Sequence, residues 1–261
     1  MVSVPLQSDG HSDPESTVPR WATEGPAAPV GCVAAIVPAA GSGARFGGAE
    51  NKLFALLAGE PLWVHSVRRI RARPEVGRVI MPVSVSDRDV FGSRYSSQIN
   101  QYGVELVDGG IERTDSVQNG LAAVGDDSAI QLVAVHDAAR PLVCDGDLRN
   151  VFAAAHRTGA ALLATPATGT IKKSVAAGDT DSVTVDRRDL WIALTPQAFR
   201  IELLRSAYQR YRGRPATDDA ELVERCGHQV CLVAGRADNL KITFPEDLRI
   251  AEAILAAGPA G

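Results

Sequence analysis

The sequence predicts an α/β domain built on a largely parallel sheet, and three observations carry that expectation. Short apolar runs, rich in β-branched residues, alternate with helical stretches from residue 33 to residue 164, the order of repeated βαβ units. The loops AAGSGAR, DGGIERTDS, HDAARP and TPATGT, which follow the runs, each carry a glycine, a charge or a hydroxyl. In parallel sheets such loops gather beyond the carboxyl ends of the strands, where ligands bind. After residue 165 the pattern changes to two alternating runs, TIKKSV and DSVTVD, around the turn-like AAGDT. That is the signature of a β-hairpin arm, placed here at about residues 166–190.

The elements follow in order. Residues 33–37 form a buried strand, because the run is apolar and rich in β-branched residues. A glycine-bearing loop comes next. Residues 61–73 (PLWVHSVRRIRAR) place Leu62, His65, Ser66 and Arg69 at helical spacing, with Val64, Val67 and Ile70 supporting an inner face. Residues 78–83 are a second strand and 87–102 a polar helix. A short strand at 104–107 ends in Asp108-Gly109-Gly110, and 115–124 is a helix. The strand at 131–135 runs into His136-Asp137-Ala138-Ala139-Arg140-Pro141. A helix at 148–156 and a strand at 160–164 complete the alternation. Beyond the arm, helices are expected at 201–211 and from residue 217, the latter capped by Thr217 or Asp218. A strand at 229–233 and a last helix opening at Pro245 close the chain.

A chain of 261 residues is long enough for one large α/β domain. Its 45% hydrophobic and 22% charged content is ordinary for a globular protein. The net charge of -4 argues against broad nucleic-acid binding while leaving room for a local basic pocket. Cys32, Cys144, Cys226 and Cys231 show neither a C-x-x-C nor a metal spacing, which suits free thiols in a reducing cytosol. Residues 1–30 are rich in Pro, Ser, Gly and acids and carry no signal-peptide pattern. They read as a disordered tail, or as residues ahead of the true start. No apolar run is long enough to span a bilayer as a helix.

The loop IVPAAGSGARFGGAENKLF is the most informative stretch. Small residues at Ala39, Ala40 and Gly41 let backbone N–H groups approach a ligand, and glycine tolerates positive φ. Arg45 and Lys52 add two cations. Backbone donors plus cations suit an anion such as a phosphate, the alternative being a strand and turn with surface charges. Neither common template fits: a P-loop lysine would follow its last glycine directly, and Phe46 occupies the third-glycine place of a dinucleotide fingerprint.

AAGSGARF followed by Lys52, then GGIERTDSV, VHDAARP, VDRRDLWIALTPQAF, TDDAELVE and NLKITFPEDL, occur in this order along the chain. Together they resemble the 2-C-methyl-D-erythritol 4-phosphate cytidylyltransferase family of the non-mevalonate isoprenoid pathway, over about residues 33–255. The resemblance implies a Rossmann-like nucleotidyltransferase domain at 31–261 that transfers CMP from CTP to methylerythritol phosphate. It also implies Mg2+ bound mainly through the CTP phosphates, and a cytoplasmic homodimer joined through the arm. Carried over by position, Arg45 and Lys52 hold the triphosphate, with backbone contacts from Ala39, Ala40 and Gly41. Gly110, Ile111 and Ser116 line the cytosine pocket, and Lys241 sits at the reacting phosphates. Asp137, Arg140 and Thr217 contact the acceptor, and Thr170 and Arg187 reach it in the partner subunit's site.

Some positions depart from the family pattern. Asn51 and Leu53 flank Lys52 where Pro and Gln or Ala are usual, Gly169 precedes Thr170 in place of Asp, and Ile111 stands where a polar residue is common. These departures bear on the acceptor more than on CTP. A related family that uses ribitol 5-phosphate is therefore an alternative, as is a non-catalytic nucleotide-binding module. A sugar-1-phosphate nucleotidyltransferase fits the starting loop less well. His136 reads as a packing residue rather than a proton carrier. Arg113 either orders its own loop through Glu112 or Asp115 or meets substrate.

Overall fold

The computed structural model describes residues 26–41, 46–47, 51–175, 180–211 and 216–258. In chain order these form β1 (Val33–Ile36), a single 3-10 turn (Lys52–Phe54), the short strands β2 (Leu56–Leu57) and β3 (Glu60–Pro61), and α1 (Leu62–Arg71). Next come β4 (Val76–Val83), α2 (Val85–Arg94), α3 (Ser96–Tyr102), β5 (Val104–Asp108), α4 (Arg113–Val124), β6 (Leu132–Val135) and α5 (Asp145–Thr158). The chain continues through β7 (Ala160–Pro166), β8 (Ile171–Ser174), β9 (Ser182–Val185), β10 (Trp191–Arg200), α6 (Ile201–Arg210), α7 (Asp219–Arg225), β11 (Cys231–Ala234) and α8 (Pro245–Ala257).

Seven strands make one sheet in the order β11-β7-β10-β6-β1-β4-β5. The pairs β1–β4, β1–β6, β4–β5 and β11–β7 are parallel, and β10 runs antiparallel between β6 and β7. Alternate residues of β1 serve opposite faces. Val33, Ala35 and Val37 join the core under α1, α2 and α5, whereas Ala34 and Ile36 join the core under α4, α6 and α7. A strand covered on both sides reads as an unbroken apolar run, which explains its clear signal in the sequence. A third, smaller core packs Leu57, Leu62, Leu142 and Ile242 against Ala251 of α8.

The structure corrects several local expectations. The single helix expected at 87–102 is two helices, α2 and α3, separated at Tyr95. Tyr95 is buried there against Phe54, Trp63 and Phe91, with ring centroids 5.3, 5.8 and 6.2 Å away. Burying these rings outweighs the continuity of a polar helix, because each is worth about 1.5–3 kcal/mol. β10 was not anticipated at all. Pro196 interrupts WIALTPQAFR, and proline argues against a central strand. The strand accommodates it where its pairing with β7 shifts register between Ala193 and Gln197. The expected tail over residues 1–30 lies outside the described residues up to residue 25, but Ala28 is buried in the core, so the folded chain begins before residue 31.

The arm is a two-stranded ribbon, β8 paired antiparallel with β9 from Ile171↔Val185 to Ser174↔Ser182. The turn expected between its strands falls, at residues 176–179, outside the described residues. Val175, Val183 and Ile192 are exposed on and beside it. All four cysteines are free, and Cys144 Sγ accepts the Asp147 N–H at the start of α5. Among the described residues no helix is long and apolar enough to cross a membrane.

The aromatic cluster seats the 3-10 turn that carries Lys52, because Phe54 of that turn is one of its rings. Phe91 is fully buried and meets Phe54 edge-on at 5.1 Å. Phe91→Ala is expected to lower stability by about 3–5 kcal/mol in equilibrium urea unfolding, because the cavity cannot close around a fixed ring set.

Candidate active site

The carboxyl ends of β1 and β6, the loop after β5 and the segment before α8 enclose a cavity of about 410 Å³. Its wall includes Ala39, Ala40 and Gly41 after β1, Lys52 and Leu53 from the 3-10 turn, and Gly110, Ile111, Glu112, Arg113 and Ser116 around the start of α4. Asp137, Ala138 and Ala139 follow β6, and Lys241 and Thr243 complete it. The cavity lies where neighbours of β1 on its two sides, β4 and β6, diverge, the place where open α/β sheets take ligands.

Asp137 is the electrostatic centre. Its carboxylate is 12% exposed and faces three cations. Lys241 Nζ is 2.8 Å from Oδ2, Arg140 Nε is 3.5 Å from Oδ2 and Arg113 Nε is 3.5 Å from Oδ1. Burial alone would raise its pKa, yet Lys241 and then Arg113 hold it well below the usual carboxylate range. The side chain is therefore an anion throughout the physiological range and cannot serve as a proton donor.

Each cation is tied to a different segment. Arg140 Nη1 donates to Asn239 O at 2.8 Å, and Asn239 Nδ2 donates to Thr195 O at 2.9 Å. Ile242 N–H donates to Ala139 O at 2.8 Å, which fastens the segment of Lys241 to the loop of Asp137. Lys52 Nζ donates to Ile242 O at 2.9 Å. Residues 239–242 thereby place both lysines of the cavity. On the other side, Asn51 accepts the Leu53 N–H at 3.0 Å and donates to Asp87 at 2.9 Å. The asparagine before Lys52, unusual for the sequence pattern, thus caps the turn that presents the lysine.

His136 packs behind the site. It is buried, with Nε2 3.1 Å from Arg140 O and Nδ1 3.1 Å from Thr195 Oγ1, which also accepts the Asp137 N–H at 3.0 Å. A carbonyl only accepts, so Nε2 carries the proton and Nδ1 accepts from the threonine hydroxyl. Burial pushes the imidazole down to about 4, so it is neutral at pH 7, as a packing residue should be.

The glycine loops behave differently from one another. A Cβ at Gly109 would meet Ala40 Cβ at 2.3 Å, and one at Gly110 would meet Asp115 Cβ at 2.1 Å. Gly109 lets the loop after β5 close on the loop after β1, and Gly110 lets it fold back on the first turn of α4. Gly41 has no left-handed φ, and a Cβ there would meet nothing within 4 Å, so its value is space at the cavity wall rather than a special turn. Ser116 accepts the Gly110 N–H at 3.0 Å and lies 3.3 Å from Glu112 O. Ile111 stands at the rim, almost wholly exposed.

The structure brings together Ala39, Ala40, Gly41, Lys52, Gly110, Ile111, Ser116, Asp137 and Lys241 on one cavity, with Arg140 braced behind Asp137. Arg45 lies outside the described residues. Thr170 and Arg187 are on the exposed arm, away from this cavity, where Arg187 donates to the Thr168 carbonyl. Thr217 is also outside the wall; its hydroxyl and its N–H donate to Glu221 at 2.9 and 2.7 Å. Asp218, not Thr217, caps α7. Of the two readings for Arg113, the pairing with Glu112 or Asp115 is not found, and the side chain lies on the cavity wall. Asp115 accepts the Glu112 N–H at 3.0 Å at the start of α4, and Arg113 instead reaches Asp219 and Asp137. Thr195, Gln197, Asn239 and Asp219 were not expected in supporting roles, although each lies inside a quoted motif.

A His136→Gln variant tests the neutral imidazole. Between pH 6.5 and about 4 only the unfolded chain protonates this histidine, so the stability gap between wild type and variant should narrow as pH falls. The expected slope is about 1.4 kcal/mol per pH unit, measured by urea unfolding at several pH values.

The family model described as 2-C-methyl-D-erythritol 4-phosphate cytidylyltransferase matches residues 33–257. A protein of that name from Rhodopirellula baltica is 51% identical over 232 residues, covering 85% of this chain and 94% of the relative. Another from Bacillus velezensis is 40% identical over 225 residues, covering 85% and 95%. The crystal structure of the Thermus thermophilus protein of the same name superposes with a TM-score of 0.71 at 33% identity, covering 86% of this chain and 98% of that one. With the matched region running from β1 to the end of α8, the chain belongs to the 2-C-methyl-D-erythritol 4-phosphate cytidylyltransferase family.

Proposed function

We propose that this protein transfers CMP from CTP to 2-C-methyl-D-erythritol 4-phosphate, releasing pyrophosphate. The observation that carries the reading is the cavity itself, whose wall carries Lys52, Arg113 and Lys241 around a largely buried carboxylate that Arg113 and Lys241 face, beside two close-packed glycine loops. An oxygen of the acceptor phosphate attacks the α-phosphorus of CTP, a new P–O bond forms, and the bond to the bridging oxygen breaks as pyrophosphate leaves. Both reactants are anions, so neutralisation and alignment are the main work of the protein. The attacking phosphate is already ionised and needs no general base, which suits a site whose histidine is neutral and buried.

Lys52 takes the triphosphate together with Arg45, and Ala39, Ala40 and Gly41 offer it backbone contacts. Gly110, Ile111 and Ser116 form the base pocket. Lys241 neutralises the reacting phosphates as charge builds, while Asp137, with Arg140 braced behind it, meets the acceptor, and Thr217, outside the wall, would meet only a part of the acceptor that extends beyond it. Mg2+ fits this donor set as an ion carried by the nucleotide. Asp137 and Glu112 are the carboxylates on the described wall, and no cluster of three or more His, Cys, Asp or Glu lies among the described residues. A hard cation then takes most of its oxygens from phosphate and water, and it would supply further neutralisation of the triphosphate.

The arm supports a homodimer. An isolated two-stranded ribbon is marginal in water, and Val175, Val183 and Ile192 are exposed along it. Packed on a second subunit, the arm would carry Thr170 and Arg187 to the acceptor in the partner's site. Free thiols suit a reducing cytosolic setting.

Pyrophosphate release with CTP, Mg2+ and methylerythritol phosphate, run beside ribitol 5-phosphate, tests the reading. Release with methylerythritol phosphate alone is expected; release with ribitol phosphate alone would reassign the acceptor. Lys241→Ala should lower kcat/KM by roughly 10²–10³ and also lower the thermal midpoint, because Asp137 loses its nearest cation. Sedimentation should give a dimer, and Val183→Asp together with Ile192→Asp should weaken it and activity in parallel.

A further inference from the structure

Asp219 is fully buried at the first position of α7, yet it does not line the cavity. An unpaired carboxylate at such depth would be strongly destabilising. Two side chains compensate it. Tyr208 donates its hydroxyl to Oδ1 at 2.6 Å, and Arg113 Nη1 sits 2.8 Å from Oδ2. The backbone around it is clamped as well. Gln197 Oε1 accepts the N–H groups of Asp219 and Ala220 at 3.1 and 3.0 Å, and Gln197 Nε2 donates to Asp218 at 2.8 Å. Gln197 belongs to β10 and is itself buried. The carboxylate of Asp219 is thus a fixed point of the sheet.

Arg113 spans from that point into the cavity. One edge of its guanidinium is held by Asp219, and its Nε faces Asp137 Oδ1 at 3.5 Å. The other oxygen of Asp137 faces Lys241 and Arg140. Without Arg113, both nearby cations would pull on the same oxygen and the carboxylate would be free to turn about its last bond. A guanidinium anchored at one end by a buried charge resists that rotation, because its planar fork is stiff and permanently charged.

We propose that Asp219, braced by Tyr208, is a positioning residue that acts through Arg113 to hold Asp137 in the orientation that receives the acceptor. This rests on the assignment of Asp137 to the acceptor made above. Its signature is selective: Asp137 faces the acceptor, so the acceptor KM should respond far more than the CTP KM.

The test is a double-mutant cycle in full-length protein, with initial rates of pyrophosphate release at varied CTP and varied methylerythritol phosphate. Asp219→Asn and Arg113→Gln should each raise the acceptor KM by about tenfold and leave the CTP KM within about threefold, and the double variant should be no worse than Arg113→Gln alone. Tyr208→Phe keeps the ion pair and should give a smaller rise in the same constant. If Asp219→Asn does not fold, Tyr208→Phe combined with Arg113→Gln reads the same coupling. Effects that multiply, or an Asp219→Asn that lowers the thermal midpoint with the acceptor KM unmoved, would overturn the positioning role alone. A wild-type protein silent with both acceptors would overturn the functional reading and this inference with it.

Discussion

The carboxylate of Asp137 is the constraint around which the site is built. A largely buried anion at the end of a strand is tolerated only if cations are brought to it, and here one comes from its own loop and two from distant parts of the chain. Arg113 opens α4, Arg140 follows β6, and Lys241 precedes α8. Satisfying one charge therefore ties the ends of the sheet together and gathers a positive wall around a cavity. The same arrangement that makes Asp137 stable makes the cavity attractive to phosphates, so folding energy and ligand charge preference have one origin.

β10 is the second support. It lies between β6 and β7, and its side chains reach the loops on either side. Thr195 accepts the Asp137 N–H and receives Asn239 on its carbonyl, while Gln197 clamps the start of α7. One strand thus fixes the backbone of Asp137, the segment of Lys241 and the anchor of Arg113. Because Gln197 and Thr195 are buried and hydrogen-bonded, they can hold these groups with little freedom, which is what alignment of two repelling anions requires.

Parts of this were legible in the amino-acid order. β1, β4 and β6 are covered on both faces, so their apolar runs stand out without any tertiary knowledge. The loops after β1, β5 and β6 carry Gly41, Gly110 and Asp137, and the rule that parallel strands point their ends at a ligand was enough to expect these together, whereas the family resemblance brought Lys241 to them. β10 was illegible because Pro196 breaks its pattern, and the split of the 87–102 helix because it depends on rings contributed by α1 and the 3-10 turn. Arg113 could be seen as a candidate, but its partner lies more than a hundred residues away in sequence, and no local spacing encodes such a pairing.

The sequence by itself determined the α/β alternation, the glycine loops, the arm and the set of cations, because hydrophobic period and turn chemistry are local properties of the chain. Tertiary structure alone decided which oxygen of Asp137 meets which cation, that Asn51 caps the Lys52 turn, that His136 is neutral, and that Asp219 stands behind Arg113. Those outcomes depend on burial and on charges from remote segments meeting at a few ångströms, and both exist only once the sheet has closed.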